Sequence, residues 1–371
     1  MSEISDMIQR LCPDGVEYRK LGEVVKIMNG KDYKSHQEGN IPVYGTGGIL
    51  TYIDTAFDDG PTVLLPRKGS IDKVYYVDSP FWTVDTIYWT KFSRDSLVCP
   101  KFLYYFMTTI NLSKMNTGTG AIPSLTQTVL SRIEIPVPPI EVQRKIVEVL
   151  DNFSKLTAEL EAELEARKKQ YEYYRDNLLN FSKIAPPNSV KWMKLGDVCN
   201  VYTGGEVPMN TIKGQLEPTN QHPFPVFANG KEVYGYTDSY SVDKPSVCIS
   251  SIGANTGTVF YRSSFFTPAI RLKVIIPKNS DLKTKFLYYI VSVINFSNKN
   301  KGSVPNINAD FVKNLLIPIP PLAEQERIVS ILDRFEALTT DLTSGLPAEI
   351  KARQQQYEYY RDQLLTFKRA N

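Results

Sequence analysis

From Pro139 onward the chain carries a regular stripe. Ile146, Leu150, Phe153, Thr157, Leu160, Leu164, Arg167, Tyr171, Tyr174, Leu178 and Phe181 follow one another at alternating steps of four and three. That is the rhythm of a coiled-coil seam. It predicts a helix over 140–182, about 60 Å long at ~1.5 Å per residue. Glu159, Glu161, Glu163 and Glu165 line its flanks, followed by Arg167, Lys168 and Lys169. The rhythm returns at Ile328, Leu332, Phe335, Thr339 and Leu342, then at Arg353, Tyr357, Tyr360, Leu364 and Phe367, with four extra residues in the middle. An insertion of four is a stutter, which locally unwinds a supercoil. It includes Ser344-Gly345-Leu346-Pro347, and Gly and Pro there predict a break, with helical pieces at about 322–343 and 347–368.

Elsewhere the pattern is that of short strands. Thr62–Leu65, Val74–Val77 and Thr86–Trp89 are β-branched or aromatic runs, as are Ser246–Ser250, Thr258–Tyr261 and Ile270–Ile275. Gly47-Gly48, Asp59-Gly60 and Asn229-Gly230 punctuate them as turns. FLYYFMTTI and FLYYIVSVI read as buried helices. Residues 16–135 and 190–317 are therefore expected to form mixed α/β regions, each followed by a helix.

The chain is one plan written twice. QYEYYRDNLLNF (Gln170 to Phe181) recurs as QYEYYRDQLLTF (Gln356 to Phe367), and KLGEV at Lys20 recurs as KLGDV at Lys194. FLYY recurs at Phe102 and Phe286, and IPVPPIEVQRKIVEVLDNF from Ile135 matches IPIPPLAEQERIVSILDRF from Ile317. Order is kept and the offsets drift by only a few residues. The stretches after each double proline are nearly alike, whereas those before share only anchors such as Pro42 and Pro225, or Gly69 and Gly253. A scaffold should be alike in both copies, and a surface that reads two different targets should not. The expected architecture is α/β: two mixed α/β domains at 1–139 and 183–321, joined by long antiparallel helices at 140–182 and 322–371, as a pseudo-two-fold internal repeat. The competing arrangement has each helix packed only on its own domain. The antiparallel reading takes as seam residues Ile146, Leu150, Phe153, Leu160, Leu164, Tyr171, Tyr174 and Leu178, facing Ile328, Leu332, Phe335, Leu342, Tyr357, Tyr360 and Leu364.

Composition narrows the class. The chain has 371 residues, 42% hydrophobic and 22% charged, with a formal net charge of +3. That charge neither demands nor excludes nucleic acid; a DNA binder so weakly basic must concentrate its cations locally. No apolar run is long enough for a membrane span, and the acidic N-terminus lacks signal-peptide features, so a cytoplasmic location and no membrane contact are expected. Cys12, Cys99, Cys199 and Cys248 form no C-x-x-C pair, and His36 and His222 are the only histidines. A zinc site is disfavoured and no metal is expected.

Binding to nucleic acid needs cations and amide or hydroxyl groups on loops. Four loop clusters per copy offer them. The first copy has Lys31 and Lys34, then Tyr44 and Thr46, then Arg67, Lys68, Ser70 and Lys73, then Lys114, Asn116 and Thr117. The second has Tyr202 to Gly204, then Asn229 and Lys231, then Ser250, Ser251, Asn255 and Thr256, then Lys299, Lys301 and Ser303. Glycines among them let a backbone approach phosphate; the plain alternative is solvated loops. Enzymatic readings find little. The double prolines are VPPI, APPN and IPPL rather than the N/D-P-P-Y/F of an amino-methyltransferase, and neither G-x-G-x-x-G nor a Walker loop occurs. Pro13-Asp14, Glu17 and Lys20 are too tightly spaced for a nuclease site. No catalytic residue is expected.

Taken together, these features resemble the specificity subunit of Type I restriction-modification systems. The resemblance rests on KLGEV and KLGDV, the I-P-x-P-P exits, Q-x-x-I-V-x-x-L-D at Gln143 to Asp151 and Gln325 to Asp333, and A-R-x-x-Q-Y-E-Y-Y-R-D at Ala166 to Asp176 and Ala352 to Asp362. It covers nearly the whole chain. It implies two target-recognition domains, each reading one part of a split, asymmetric double-stranded DNA target, with the helices as spacer and docking surface. It implies two methyltransferase subunits carrying S-adenosylmethionine and two restriction subunits using ATP and Mg, with no cofactor on this chain. The other readings are a self-contained methyltransferase or nuclease and a coiled-coil adaptor without sequence-specific DNA binding. A helix pair of this length limits the separation of the two parts to about 60 Å, roughly 18 base pairs.

Overall fold

The computed structural model describes residues 2–118, 121–184, 190–296, 306–340 and 343–370. They fall into two compact units, Met1–Glu161 with Glu349–Asn371, and Ala162–Ala348.

The first unit begins with α1 (Ser2–Leu11), β1 (Tyr18–Lys20), α2 (Leu21–Val24), β2 (Lys26–Asn29), β3 (Glu38–Gly45) and β4 (Gly48–Ile53). There follow β5 (Thr62–Pro66), β6 (Tyr75–Val77), β7 (Trp82–Thr83), β8 (Ile87–Lys91), α3 (Pro100–Thr109), α4 (Gln127–Ser131), β9 (Glu134–Pro136) and the first part of α5 (Ile140–Leu178). An antiparallel sheet of order β2-β8-β5-β6 forms the centre. A second sheet, β4-β3-β7, has a parallel β3–β7 pair, and β1 pairs with β9. β5 is buried throughout and apolar from Val63 on, as an inner strand should be, and the Thr62 hydroxyl donates to Thr90 O at 2.7 Å. Pro100 opens α3, where its missing N–H costs nothing. Thr126 caps α4 by accepting from the Val129 amide.

The second unit repeats this plan. Its elements are α6 (Phe181–Ile184), β10 (Lys191–Lys194), α7 (Leu195–Val198), β11 (Cys199–Thr203), β12 (Ile212–Lys213), β13 (Phe224–Phe227), β14 (Gly235–Thr237) and β15 (Ser246–Ile249). After them come β16 (Val259–Arg262), β17 (Thr267–Pro268), β18 (Lys273–Pro277), α8 (Thr284–Ser292), α9 (Ala309–Lys313), β19 (Leu316–Ile319) and α10 (Leu322–Thr340). The central sheet has the order β11-β18-β15-β16, strand for strand that of the first unit. β13 pairs parallel with β17 as β3 does with β7, and β10 pairs with β19. The internal repeat is thus a repeat of topology as well as of sequence.

Two boundaries differ from expectation, and one expected interruption is present. α5 has 39 residues and stops at Leu178, four short of 182, before the short α6 takes over. The expected break is present: α10 ends at Thr340, α11 (Leu346–Leu364) follows, and Gly345 lies at φ +79° between them. A Cβ at Gly345 would sit 2.6 Å from the Ala337 carbonyl oxygen, so glycine alone fits there. The strand expected over 270–275 begins only at Lys273, because Ile270 and Arg271 turn left-handed.

Each helix is welded to the domain that precedes it. Gln143 is fully buried on the first turn of α5. Its Oε1 accepts from the Cys99 amide at 2.8 Å, and its Nε2 donates to the carbonyls of Leu97 and Pro138 at 2.8 and 2.7 Å. Gln325 does the same in the second unit, with the Lys283 amide and the carbonyls of Asp281 and Pro320. Two turns on, the Tyr105 hydroxyl donates to Asp151, as the Tyr289 hydroxyl does to Asp333. Burial, then these carboxylates, push both phenols above their ordinary range. Ile146 and Leu150 therefore join Phe102 and Leu103 in one core, and Ile328 and Leu332 join Phe286 and Leu287 in the other. At these positions the seam is domain core.

The far end of each helix docks on the opposite copy's core. Leu364, Leu365 and Phe367 belong to the core of the first unit, where Phe367 lies 6.4 Å from Phe102 between ring centroids. Leu178, Leu179 and Phe181 belong to the core of the second, where Phe181 lies 6.2 Å from Phe286. Residues 368–370 then return to the first domain: Val16 and Lys368 share a backbone bond at 2.8 Å, and the Ala370 amide donates to Val16 at 2.9 Å. Between the welds, Phe153 meets Tyr360 at 5.4 Å and Gln354 reaches Glu161 at 3.5 Å. One sequence number rises as the other falls, so α5 and α11 run antiparallel in the first unit. In the second, Tyr171 and Tyr174 pack on Phe335 at 6.3 and 5.7 Å. Tyr357 also packs against the first core. Leu160 and Leu164 are half-buried, whereas Tyr174 keeps 41% of its surface exposed. Leu342 lies outside the described residues.

This exchange makes a directional prediction. Phe367→Ala should destabilise the first unit by about 3–5 kcal/mol, and Phe181→Ala the second by as much. Peptide-resolved hydrogen exchange should show protection lost in residues 60–110 for the former and 245–292 for the latter. Equal loss in both units from either change would contradict the arrangement.

Candidate nucleic-acid interface

In the first unit the loops at one end of the central sheet are tied to each other. The Lys31 amide donates to Thr83 O at 2.8 Å, and Trp82 Nε1 to Lys31 O at 3.0 Å. The Arg67 and Lys68 amides donate to Thr86 O, the Gly69 amide to Pro123 O, and the Leu125 amide to Arg67 O. Thr46 Oγ1 donates to Lys68 O at 2.8 Å, and Tyr75 Oη to Thr46 O at 3.0 Å. All four loop clusters picked out in this copy therefore meet, except that residues 119–120 lie outside the described residues.

The predicted residues divide by role. Lys31, Lys34, Lys68, Ser70, Lys73 and Lys114 are exposed. Among the described residues, none of these five lysines has a carboxylate within ion-pair distance, although Asp32, Asp72 and Asp85 sit in the same loops. Other lysines of this unit are paired, as Lys91 is with Asp58, Lys101 with Asp151 and Lys145 with Glu148, although Lys20 and Lys26 are not paired among the described residues. Arg67 is half-buried: it donates to Asp85 O at 2.9 Å and lies 5.6 Å from the Tyr88 ring centre. Four candidates serve the loops themselves. Thr46 is buried beneath Lys68, and Tyr44 is a half-buried strand residue packed on Tyr75. Asn116 Oδ1 accepts from the Gly118 and Ser124 amides, and Thr117 Oγ1 donates to Ser124 O.

The second unit gathers the matching loops around Asn229. Its Nδ2 donates to Ile270 O, and its Oδ1 accepts from the Ser251 amide at 2.8 Å and from Ser250 Oγ at 3.3 Å. Ser251 Oγ donates to Arg271 O at 2.6 Å, and the Arg271 and Ile270 amides donate to Gly204 O and Gly205 O. Ser250 and Ser251 are fully buried, which corrects their placement on a binding surface. Lys231 and Asn255 are exposed, while Thr256 is half-buried and donates to Gly253 O. Lys299, Lys301 and Ser303 lie outside the described residues.

Two of the glycines have a different use from the one expected. A Cβ at Gly30 would lie 2.0 Å from Val84 O, and one at Gly204 would lie 2.8 Å from the Pro268 carbonyl carbon. Both glycines allow one loop to approach another, not a ligand.

Three cations were not singled out by the sequence. Arg262 lies with its guanidinium 3.8 Å from the Phe227 ring centre and 4.8 Å from that of Phe260, and donates to the carbonyls of Gly230 and Lys231. It holds the Lys231 loop from beneath, and burial pulls its pKa down. Lys273 opens β18 at 4% exposure. Arg271 is exposed on a turn where Ile270 and Arg271 have φ of 51° and 61°. Left-handed backbone costs an L-residue about 1–2 kcal/mol, so the surrounding bonds must hold it. The only available signal was the Arg-x-Lys in RLKVII, which reads as ordinary strand.

No group of three or more His, Cys, Asp or Glu able to hold a metal occurs among the described residues. Burial pushes the Cys199 and Cys248 thiols up to about 12. No helix among the described residues is long and apolar enough to cross a membrane.

Comparison with known proteins places this arrangement. The family model for the Type I restriction modification DNA specificity domain matches residues 13–167 and again 187–352. The Type I restriction enzyme EcoR124I/EcoR124II specificity subunit of Escherichia coli is 31% identical over 410 aligned positions, covering 99% of this chain and 98% of that protein. A Haemophilus influenzae protein assigned as a type I restriction enzyme specificity subunit is 33% identical, covering 95% of this chain and 96% of its own. In fold, the chain is similar to the S subunit of a Type I system from M. genitalium, with TM-score 0.63, 18% identity, and 94% and 95% of the two chains covered. A chain from a study of complex assembly and conformational transition in the type I R-M system gives TM-score 0.62 at 17% identity, with 95% and 98% covered.

Asn229→Ala should leave the Ser251 amide and the Ile270 carbonyl without partners. The expected cost is about 2–4 kcal/mol, read by denaturant unfolding, together with faster amide exchange in 250–257 and 269–271. Unchanged exchange there would mean that Asn229 does not hold the loops.

Proposed function

Because the chain belongs to the Type I restriction modification DNA specificity family, matched once in each of its two copies, we propose that each unit binds one part of a split, asymmetric DNA target through the loops at the end of its central sheet. The chain is a specificity subunit, the DNA-recognition component of a Type I restriction-modification complex. The observation that supports the loop assignment is the set of exposed lysines that, among the described residues, lack carboxylate partners on loops bonded into one surface. Such cations attract phosphate, and the divergent loop residues around them face the grooves where sequence is read. Lys31, Lys34, Lys68, Lys73 and Lys114 serve the first unit, and Lys231 and Asn255 the second. Lys299, Lys301 and Ser303 belong to the same reading.

The chain itself performs no chemistry in this reading. Two methyltransferase subunits dock on the helices and bring S-adenosylmethionine, and two restriction subunits bring ATP and Mg. The complex works on double-stranded DNA in the cytoplasm without a membrane. The four-part division at 1–139, 140–182, 183–321 and 322–371 is functional: domains read, helices hold partners and set the gap.

Three measurements test this. Methylation-sensitive sequencing of DNA exposed to the assembled complex should return two short specified stretches separated by a fixed number of unspecified base pairs. Methyl transfer from labelled S-adenosylmethionine by this chain alone would overturn the non-catalytic reading. Lengthening both α5 and the α10–α11 segment by four residues, about 6 Å, should widen the gap by one or two base pairs. An unchanged gap would mean that the helices do not set it.

A further inference from the structure

We propose that Arg271 and Lys273 form a clamp for one DNA backbone phosphate in the part of the target bound by the second unit. This rests on the DNA-reading function above and extends it to a residue-level site.

Lys273 occupies the central strand of the sheet, paired with Thr203 on one side and Ile249 on the other. It is 4% exposed, and among the described residues its side chain makes one hydrogen bond, from Nζ to Thr203 Oγ1 at 3.2 Å. An ammonium has three donors, and among the described residues no carboxylate lies within ion-pair distance of this one. A buried cation without a counter-ion is rare. Its nearest charged influence is a second cation: burial first, and then the Arg271 charge, pull the Lys273 pKa down. Arg271 likewise has no carboxylate partner among the described residues. Arg271 stands two residues before Lys273 in the chain, and an anion bound by both would relieve the repulsion between two like charges.

The backbone is shaped to deliver Arg271 there. The Leu272 amide donates to Ala269 O at 3.2 Å, closing a turn whose two central residues are both left-handed. Such a turn normally takes Asn or Gly. Here it carries Ile270 and Arg271, and four hydrogen bonds fix it, from the two amides to Gly205 O and Gly204 O and to the two carbonyls from Asn229 Nδ2 and Ser251 Oγ. Strain maintained by so many partners is a mark of a functional position. The first unit has the matching turn, with the Ile87 amide donating to Val84 O, but Asp85 and Thr86 are not left-handed and Tyr88 stands where Lys273 does. The clamp therefore belongs to one unit only.

The test uses the complex assembled with its partner subunits, carrying Arg271→Gly or Lys273→Met. Affinity is measured over a range of salt on a target duplex and on a scrambled one. Each variant should bind both duplexes about tenfold more weakly, with a slope of log K against log salt shallower by about one. Base preference in both parts of the target should not change. Arg271→Gly should also melt no lower than the parent, because glycine suits the left-handed position, so its lost affinity cannot be ascribed to unfolding. A slope equal to the parent's in both variants overturns the clamp while leaving the function intact. Relaxed preference at one base pair with an unchanged slope would make Arg271 a base reader instead, and also overturns it. If the parent does not distinguish target from scrambled duplex, sequence reading fails, and the slope difference on scrambled DNA still decides the clamp.

Discussion

Everything in this chain depends on how a helix of 39 residues is held. A helix of that length, polar over most of its surface, gains little from its own hydrogen bonds and needs tertiary contacts along its length. α5 obtains them by starting inside one core and finishing inside the other. Gln143 and Asp151 fix its first turns, and Leu178, Leu179 and Phe181 bury its end. α10 begins with the same fixtures, Gln325 and Asp333, and α11 ends with the same apolar group, Leu364, Leu365 and Phe367. Each compact unit is thus a domain, the start of its own helix and the end of the other copy's. That is why the division into units cuts α5 between Glu161 and Ala162 rather than at Pro139.

The weld explains why the alike parts of the two copies are alike. A glutamine that makes three buried hydrogen bonds can be replaced only at the cost of leaving those groups unpaired. Its partners are the residues at the domain's exit and the start of α3 or α8, so the exit, the helix start and the FLYY helix must keep their mutual geometry. The FLYY phenylalanine must also meet the phenylalanine that ends the opposite helix, as Phe102 meets Phe367 and Phe286 meets Phe181. The motifs that recur in sequence are those that touch across this junction.

Much of this was legible beforehand, and what was not has a physical reason. The 3–4 periodicity located both helices, and Gly345-Leu346-Pro347 located the interruption, because helix pattern and breakers act locally. The swap of helix ends was invisible, since an apolar residue on a seam reads the same whether it meets a helix or a foreign core. Leu364 and Leu178 were placed on the seam for that reason. Ser250 and Ser251 looked like contact residues by type, but burial depends on what the Asn229 loop does 20 residues away. Arg271 and Lys273 looked like strand, because nothing in Ile-Arg announces a left-handed turn that only long-range bonds can hold. The four loop clusters met at one sheet end because strand ends share a topology, which the repeat had already implied.

The same separation of local from long-range constraint accounts for how two domains with one frame can carry different surfaces. The central sheets match strand for strand, and their ladders are made by backbone groups, which are indifferent to side-chain identity. Divergence is therefore cheap at the strand ends, provided the loops stay bonded to each other. Both units meet that condition with different chemistry. In the first, Thr46, Asn116 and backbone groups tie the loops together, and a cation rests on the Tyr88 ring. In the second, Asn229 and Ser251 tie them, and the ring's position is taken by Lys273. Loop-binding side chains face inward and are free to change together, while the outward-facing residues change independently of the fold. A recognition surface built this way can differ between the two copies without disturbing the junction that holds the helices.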